Sequence, residues 1–230
     1  MLEALGWGLL SQSSLLLAGL LVCWVTFPAK LVGVLGGFGA GAMIAAVSFD
    51  LVPQAQVLDR WQFALWMLIG VAVFLLGDKL VERRFGTAGT GGAMGIVVGS
   101  VVDGAPESLI LGIQVGTGSA ISLSFVAAVF ISNLPQAIAP SADLHSSGWG
   151  ARRLGVLWVL VVLVCGIAAA LGFVFTDLTA GAQGDRAAAL ACGGILAMLT
   201  NSLMPFSFER GGAMAGAATA VGFCMSVLNS

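Results

Sequence analysis

Charge is scarce in this sequence. Asp, Glu, Lys and Arg make up 9% of its 230 residues, where a soluble domain carries about 25%. That shortage excludes an ordinary solvated surface, and 59% hydrophobic residues point to a polytopic membrane protein. Little is left over for a soluble domain of typical size, so 1–230 reads as one transmembrane domain. A net charge of −2 argues against nucleic-acid binding. Histidine is reduced to His145, which follows Asp143 in a connecting segment and reads as a loop residue. No HExxH motif and no Ser/His or Cys/His arrangement falls in the apolar runs, which argues against an intramembrane enzyme. Cys23, Cys165, Cys192 and Cys224 are isolated and lack CxxC spacing, so they are expected to be small buried hydrophobes. No basic residue precedes the first apolar run, which is taken as a span and not a cleaved signal.

What is there is a series of apolar segments of about 20 residues, the length that crosses a bilayer. Charged and Gly/Pro-rich breaks divide the chain into about eight: 7–27, 31–53, 61–80, 93–115, 119–140, 153–175, 187–206 and 211–229. Only Pro28, Ala29 and Lys30 separate the first two, which predicts a tight hairpin. The fold class is therefore all-α, a transmembrane helix bundle. Cytoplasmic loops are enriched in basic residues. With the N-terminus outside, Lys30, Lys79, Arg83, Arg84, Arg152, Arg153 and Arg210 fall inside and only Arg60 and Arg186 outside. This predicts a multi-pass protein of the cell membrane with both termini extracytoplasmic. Trp7, Trp24, Trp61, Trp149 and Trp158 lie near span ends, as interfacial anchors do. Glycines cluster at Gly33, Gly36, Gly37, Gly39 and Gly41 and again at Gly91, Gly92, Gly95 and Gly99, a spacing that allows close helix packing and permits a homodimer.

The fourth span carries Asp103-Gly104-Ala105-Pro106-Glu107, with no other ionisable residue from Ala93 to Val115. Asp103 and Glu107 are four positions apart and share one helix face. Pro106 lacks an amide hydrogen, so the carbonyl of Val102 loses its usual partner and adds a third oxygen. A charge in mid-membrane costs roughly 2.5–3.5 kcal/mol on insertion scales, so such residues generally line an internal cavity.

Two internal similarities accompany this stretch. The fifth span repeats the order with Ser132-Asn133-Leu134-Pro135-Gln136. The second span, from Gly41 to Pro53, and the seventh, from Gly193 to Pro205, both run from Gly to Pro with polar groups at matching places, Asp50 and Asn201 among them. Related segments with broken helices near mid-membrane characterise transporters with internal, often inverted, repeats.

On these residues the sequence resembles the ZIP (Zrt/Irt-like protein) family of divalent metal transporters. That family has a His-Asn-x-Pro-Glu-Gly pattern in its fourth span and His-Glu-x-Pro-Glu/Gln in its fifth. The first falls on Asp103, Gly104, Pro106, Glu107 and Ser108, the second on Ser132, Asn133, Pro135 and Gln136. The histidine positions hold Asp103 and Ser132, and a sixth-span Glu-Pro of many members falls near Ala169 and Ala170. The segment from Val81 to Gly92, long and His-rich in many members, is short and without histidine. The resemblance implies a ZIP-like bundle of eight spans and transport of a divalent cation toward the cytoplasm, with the metal as cargo and no cofactor.

The candidate metal ligands are Asp103, Glu107, Ser132, Asn133 and Gln136, with Asp50 and Asn201 as outlying positions. All are oxygen donors. Zinc usually takes at least one His or Cys, so this set predicts a shift from zinc toward harder ions such as Mn(II) or Fe(II). Two carboxylates would balance one divalent charge. Two other readings stay open: a transporter of a non-metal polar solute on the same fold, and a non-transporting membrane protein that binds a metal. Asn133 and Gln136 also read as helix–helix glue. Asp78 and Glu82, beside Lys79, Arg83 and Arg84, read as a solvated helix end.

Overall fold

The computed structural model describes residues 1–85, 92–178 and 184–228. Eight helical segments follow one another: α1 (Leu2–Leu21), α2 (Ala29–Ala55), α3 (Arg60–Phe85), α4 (Gly92–Thr117), α5 (Leu123–Ser146), α6 (Ala151–Leu178), α7 (Gly184–Gly211) and α8 (Ala213–Val227). The first seven are long and apolar enough to cross a membrane, while α8 has 15 residues. Most boundaries shift by a few residues from expectation, and two connections differ in kind. The first helix begins five residues early and ends at Leu21, so 22–28 join α1 to α2 where three residues were expected. Gly212 alone divides α7 from α8, at φ 57° and ψ −143°, a conformation open to glycine and costly for residues with a Cβ. Gly91 and Asn229, at the edges of an expected glycine cluster and span, lie outside the described residues.

Prolines shape α2 and α7. A proline ring clashes with the carbonyl four residues back and supplies no amide hydrogen. Before Pro53 the helix widens to a π turn over Val47–Leu51, where the Val52 amide donates to the Val47 carbonyl. Before Pro205 it does the same over Leu199–Leu203, with Met204 donating to Leu199. Ser48 donates to the Ile44 carbonyl at 2.8 Å, and Thr200 to that of Leu196 at 2.9 Å.

Close approach through glycine builds the helix pairs. A Cβ on Gly41 would run into the carbonyl of Thr219, and one on Gly222 into that of Phe38, so α2 and α8 touch backbone to backbone. In α7 and α3, Gly193 faces the Met67 carbonyl and Gly70 that of Leu190. Every residue in the second set has its counterpart 152 positions away in the first, as do the π turns and their prolines. Gly112 and Gly172 join α4 to α6 in the same manner. The first glycine cluster thus packs as expected, but Gly99 has nothing within 4 Å of its would-be Cβ, and Gly95 lines a cavity.

These pairs assemble into two groups, α1 with α4, α5 and α6, and α2 with α3, α7 and α8. The groups meet where α2 lies on α5, α7 on α4 and α3 on α4. One apolar core runs between α2, α4, α5 and α7 around Met43, Phe125 and Met198; another joins α1, α5 and α6 around Leu15, Trp158 and Val161. Trp158 is therefore not an interfacial anchor. It is fully buried and donates its indole N–H to Ser141 at 2.8 Å, whereas Trp24 and Trp61 are exposed as expected. Cys165 and Cys192 are buried thiols, but Cys224 is exposed; all four cysteines are free.

Glycine substitutions separate packing from propensity. Gly216 has open space around it, so Gly216→Ala is expected to be neutral or stabilising by up to about 1 kcal/mol. Gly41→Ala is expected to destabilise by about 1–3 kcal/mol through overpacking. Thermal unfolding of the purified protein in detergent checks the opposite signs.

Candidate functional site

Position in the helices decides what each candidate side chain meets. In α4, Glu107 is 1% exposed and lies toward α1 and α5. Its Oε2 accepts a hydrogen bond from Gln12 Nε2 at 3.1 Å, and Gln12 Oε1 accepts one from Asn133 Nδ2 at 2.9 Å. One carboxamide from α1 thus ties α4 to α5. The other carboxylate oxygen, Oε1, is buried without a hydrogen-bond partner among the described residues. Gln12 reaches this place because position 104 is bare: a Cβ on Gly104 would stand 3.1 Å from Gln12 Oε1 and 2.9 Å from Cys165 Sγ.

Asp103, one turn earlier, is half-buried and lines a cavity of about 610 Å³ between α3, α4, α5 and α7. The cavity walls carry the carboxylates of Asp78, Glu82, Asp103, Asp143 and Glu209 against one guanidinium, Arg210. That guanidinium is engaged at the wall, 3.9 Å over the Phe206 ring and 3.8 Å from the Glu209 carboxylate. The excess of negative charge favours a cation in this space. Gln136 also lines it, while donating to the Ser132 carbonyl at 3.2 Å.

The remaining candidates divide. Ser132 is buried, but its hydroxyl donates to the Val129 carbonyl at 3.0 Å within its own helix. Asn201 faces the cavity, where it donates to Asp78 Oδ2 at 2.7 Å. Asp50 belongs elsewhere: its Oδ2 accepts from Ser122 at 2.7 Å and Ser124 at 2.9 Å, fastening the end of α2 to the start of α5. Asp103, Glu107, Asn133 and Gln136 are therefore gathered on the α4–α5 pair, Asn201 faces the cavity, and Asp50 is apart. His145 is exposed with Nδ1 2.8 Å from the Trp149 carbonyl, but it sits in the last turn of α5 and not in a loop as expected.

Two residues escaped the sequence reading. Gln12 sits in Ser11-Gln12-Ser13-Ser14, a polar patch inside the first apolar run that should have drawn notice. Asp78 is half-buried in the cavity wall and not merely part of a solvated helix end. Among the described residues, no group of three His, Cys, Asp or Glu side chains converges as a metal cage. Any ion held here would take amide, hydroxyl or backbone oxygens beside the carboxylates. No protein-family model matches the chain, and no curated protein matches it in sequence.

The bridging amide gives a double-mutant test. Gln12→Leu strands Glu107 and Asn133, at about 1–3 kcal/mol for each unsatisfied group. Glu107→Leu also destabilises, but Gln12→Leu/Glu107→Leu is expected to lose at least about 0.5 kcal/mol less than the two single changes together. Thermal unfolding of the four proteins in one detergent measures the difference.

Proposed function

We propose that this protein is a divalent-cation transporter, a divergent relative of the ZIP family, moving its ion toward the cytoplasm. The observation that carries this reading is the buried Glu107 oxygen without a partner among the described residues, one turn from an Asp103 that opens onto an acidic cavity. A divalent ion supplies the charge that this pair of carboxylates lacks. With the orientation read from the basic residues, the cavity opens toward the cytoplasm, where α3, α5 and α7 end. The 152-residue correspondence between α2–α3 and α7–α8 supports an inverted repeat, because α2 and α7 are the second and seventh crossings and run in opposite directions. Rigid movement of one helix group against the other then exposes the site to alternate sides.

The ZIP motif carries an amide side chain at the position that is Gly104 here. In this protein Gln12 brings a carboxamide from α1 into the space beside that position. The site so formed is Asp103 and Glu107 with Gln12, Asn133 and Gln136 as oxygen donors. This set favours Mn(II) or Fe(II) over zinc. A second reading, transport of a non-metal polar solute on the same fold, is favoured by the lack of a three-residue His/Cys/Asp/Glu cage among the described residues.

Uptake into proteoliposomes of Zn, Mn, Fe(II), Co, Cd and Mg discriminates these readings. At least one metal is expected to enter, with Asp103→Ala/Glu107→Ala reduced to the level of empty liposomes. No metal uptake by folded wild-type protein overturns the proposal. Flux of a polar solute that survives chelators would then favour the second reading, and metal binding without flux a non-transporting role.

A further inference from the structure

We propose that the cleft between the two helix groups is a binding site for an anionic phospholipid, independent of the ion the protein carries. A groove of about 440 Å³ runs between α3, α4, α6 and α7, behind the carboxylate-bearing face of α4. Its volume falls in the range of small-ligand sites, roughly 300–1,000 Å³. Val73, Phe74, Val102, Leu109, Ile113 and Leu190 represent a lining that, among the described residues, carries one charged side chain, Arg186.

The dimensions match one leaflet. Along α3 the groove extends from Trp66 to Gly77, eleven residues or about 16 Å of helix. The hydrocarbon core of a bilayer is about 30 Å thick, so the groove is about half as long as the core is deep. Arg186 lies at the end where α7 begins, its guanidinium 5.9 Å from the Trp66 ring centroid. Trp66, half-buried against Ala55, Ala188 and Ala189, holds that guanidinium by a cation–π contact at this end of the groove. Among the described residues Arg186 forms no ion pair, whereas Arg210 does. The groove therefore offers an acyl chain an apolar channel of leaflet length and offers a phosphate a guanidinium at the channel's headgroup end. Phosphatidylcholine presents the same phosphate beside a quaternary ammonium, which opposes its attraction to the guanidinium, whereas phosphatidylglycerol carries no such cation.

The bound chain would lie against Val102, Ala105 and Pro106 of α4 and against Gly194 of α7, on both sides of the boundary between the groups. Gly77 provides a way to fill the groove, since a Cβ there meets only Val102 Cγ1, at 3.7 Å.

The test uses the full chain, stripped of lipid in detergent and titrated with phosphatidylglycerol, phosphatidylcholine or inorganic phosphate. Thermal unfolding and native mass spectrometry follow binding. Phosphatidylglycerol is expected to raise the unfolding temperature by several degrees more than phosphatidylcholine and to be retained in the mass spectrum. Arg186→Gln is expected to weaken phosphatidylglycerol about tenfold, to the phosphatidylcholine level. Gly77→Leu should abolish retention of both lipids, and Arg60→Gln, which changes an exposed arginine outside the groove, should leave both unchanged. Equal effects of the two lipids on wild type, or an equal shift from inorganic phosphate alone, would overturn the proposal. So would a groove closed by a second copy, seen as a dimer that Gly77→Leu dissociates and lipid does not affect.

Discussion

Where α2 crosses α8, the carbonyl of Thr219 occupies the place a side chain on Gly41 would need, and the same holds for Gly193 against Met67 and Gly112 against Ala169. In a bilayer no hydrophobic force draws one apolar helix to another, so association rests on close dispersion contact and on polar groups. Backbone-to-backbone approach supplies the first at these crossings, and Gly33 meets the Gly211 backbone where α2 passes α7. The seating of α4 on α6 fixes the direction in which Glu107 points, and hence whether Gln12 can reach it. A methyl group at any of these glycines separates a helix pair before it touches the polar residues.

The second ingredient, polar contact, is spent sparingly and in few places. The chain of Gln12, Glu107 and Asn133 joins α1, α4 and α5 at one level, and Asp50 with Ser122 and Ser124 joins α2 to α5 at another. Between these levels α4 presents two faces of opposite character. One bears the carboxylates; the other, with Val102, Ala105, Pro106, Leu109 and Ile113, lines a groove whose one charged side chain among the described residues is Arg186 of α7. Helical periodicity alone achieves this separation, because residues four apart share a face while those one or two apart do not.

Much of the fold could be read from the chain because apolar length and charge breaks are local properties. The eight segments match the eight helices, and the Gly41–Pro53 and Gly193–Pro205 similarity coincides with two π turns at corresponding positions. The site was legible as far as Asp103 and Glu107, whose rarity in an apolar run is itself the signal. Gln12 was not, since its contact with Glu107 spans 95 residues and no periodicity encodes it. Asp78 was obscured by the charges of Lys79, Arg83 and Arg84 beside it, although the amide that meets it lies 123 residues away. Trp158 was misplaced for a related reason: span length cannot tell an indole facing the headgroups from one whose N–H meets a hydroxyl on another helix.

Each π turn holds one residue more than the α-helical path would need, and an α-helix turns by about 100° per residue. Loss of that residue from 47–51 would swing Asp50 away from Ser122 and Ser124, and loss from 199–203 would swing Asn201 away from Asp78. A one-residue insertion is thus written twice into the chain, 152 positions apart. If the two halves descend from one ancestral segment, the insertion is older than the duplication, and the widened turn was already part of the single helix from which both were copied.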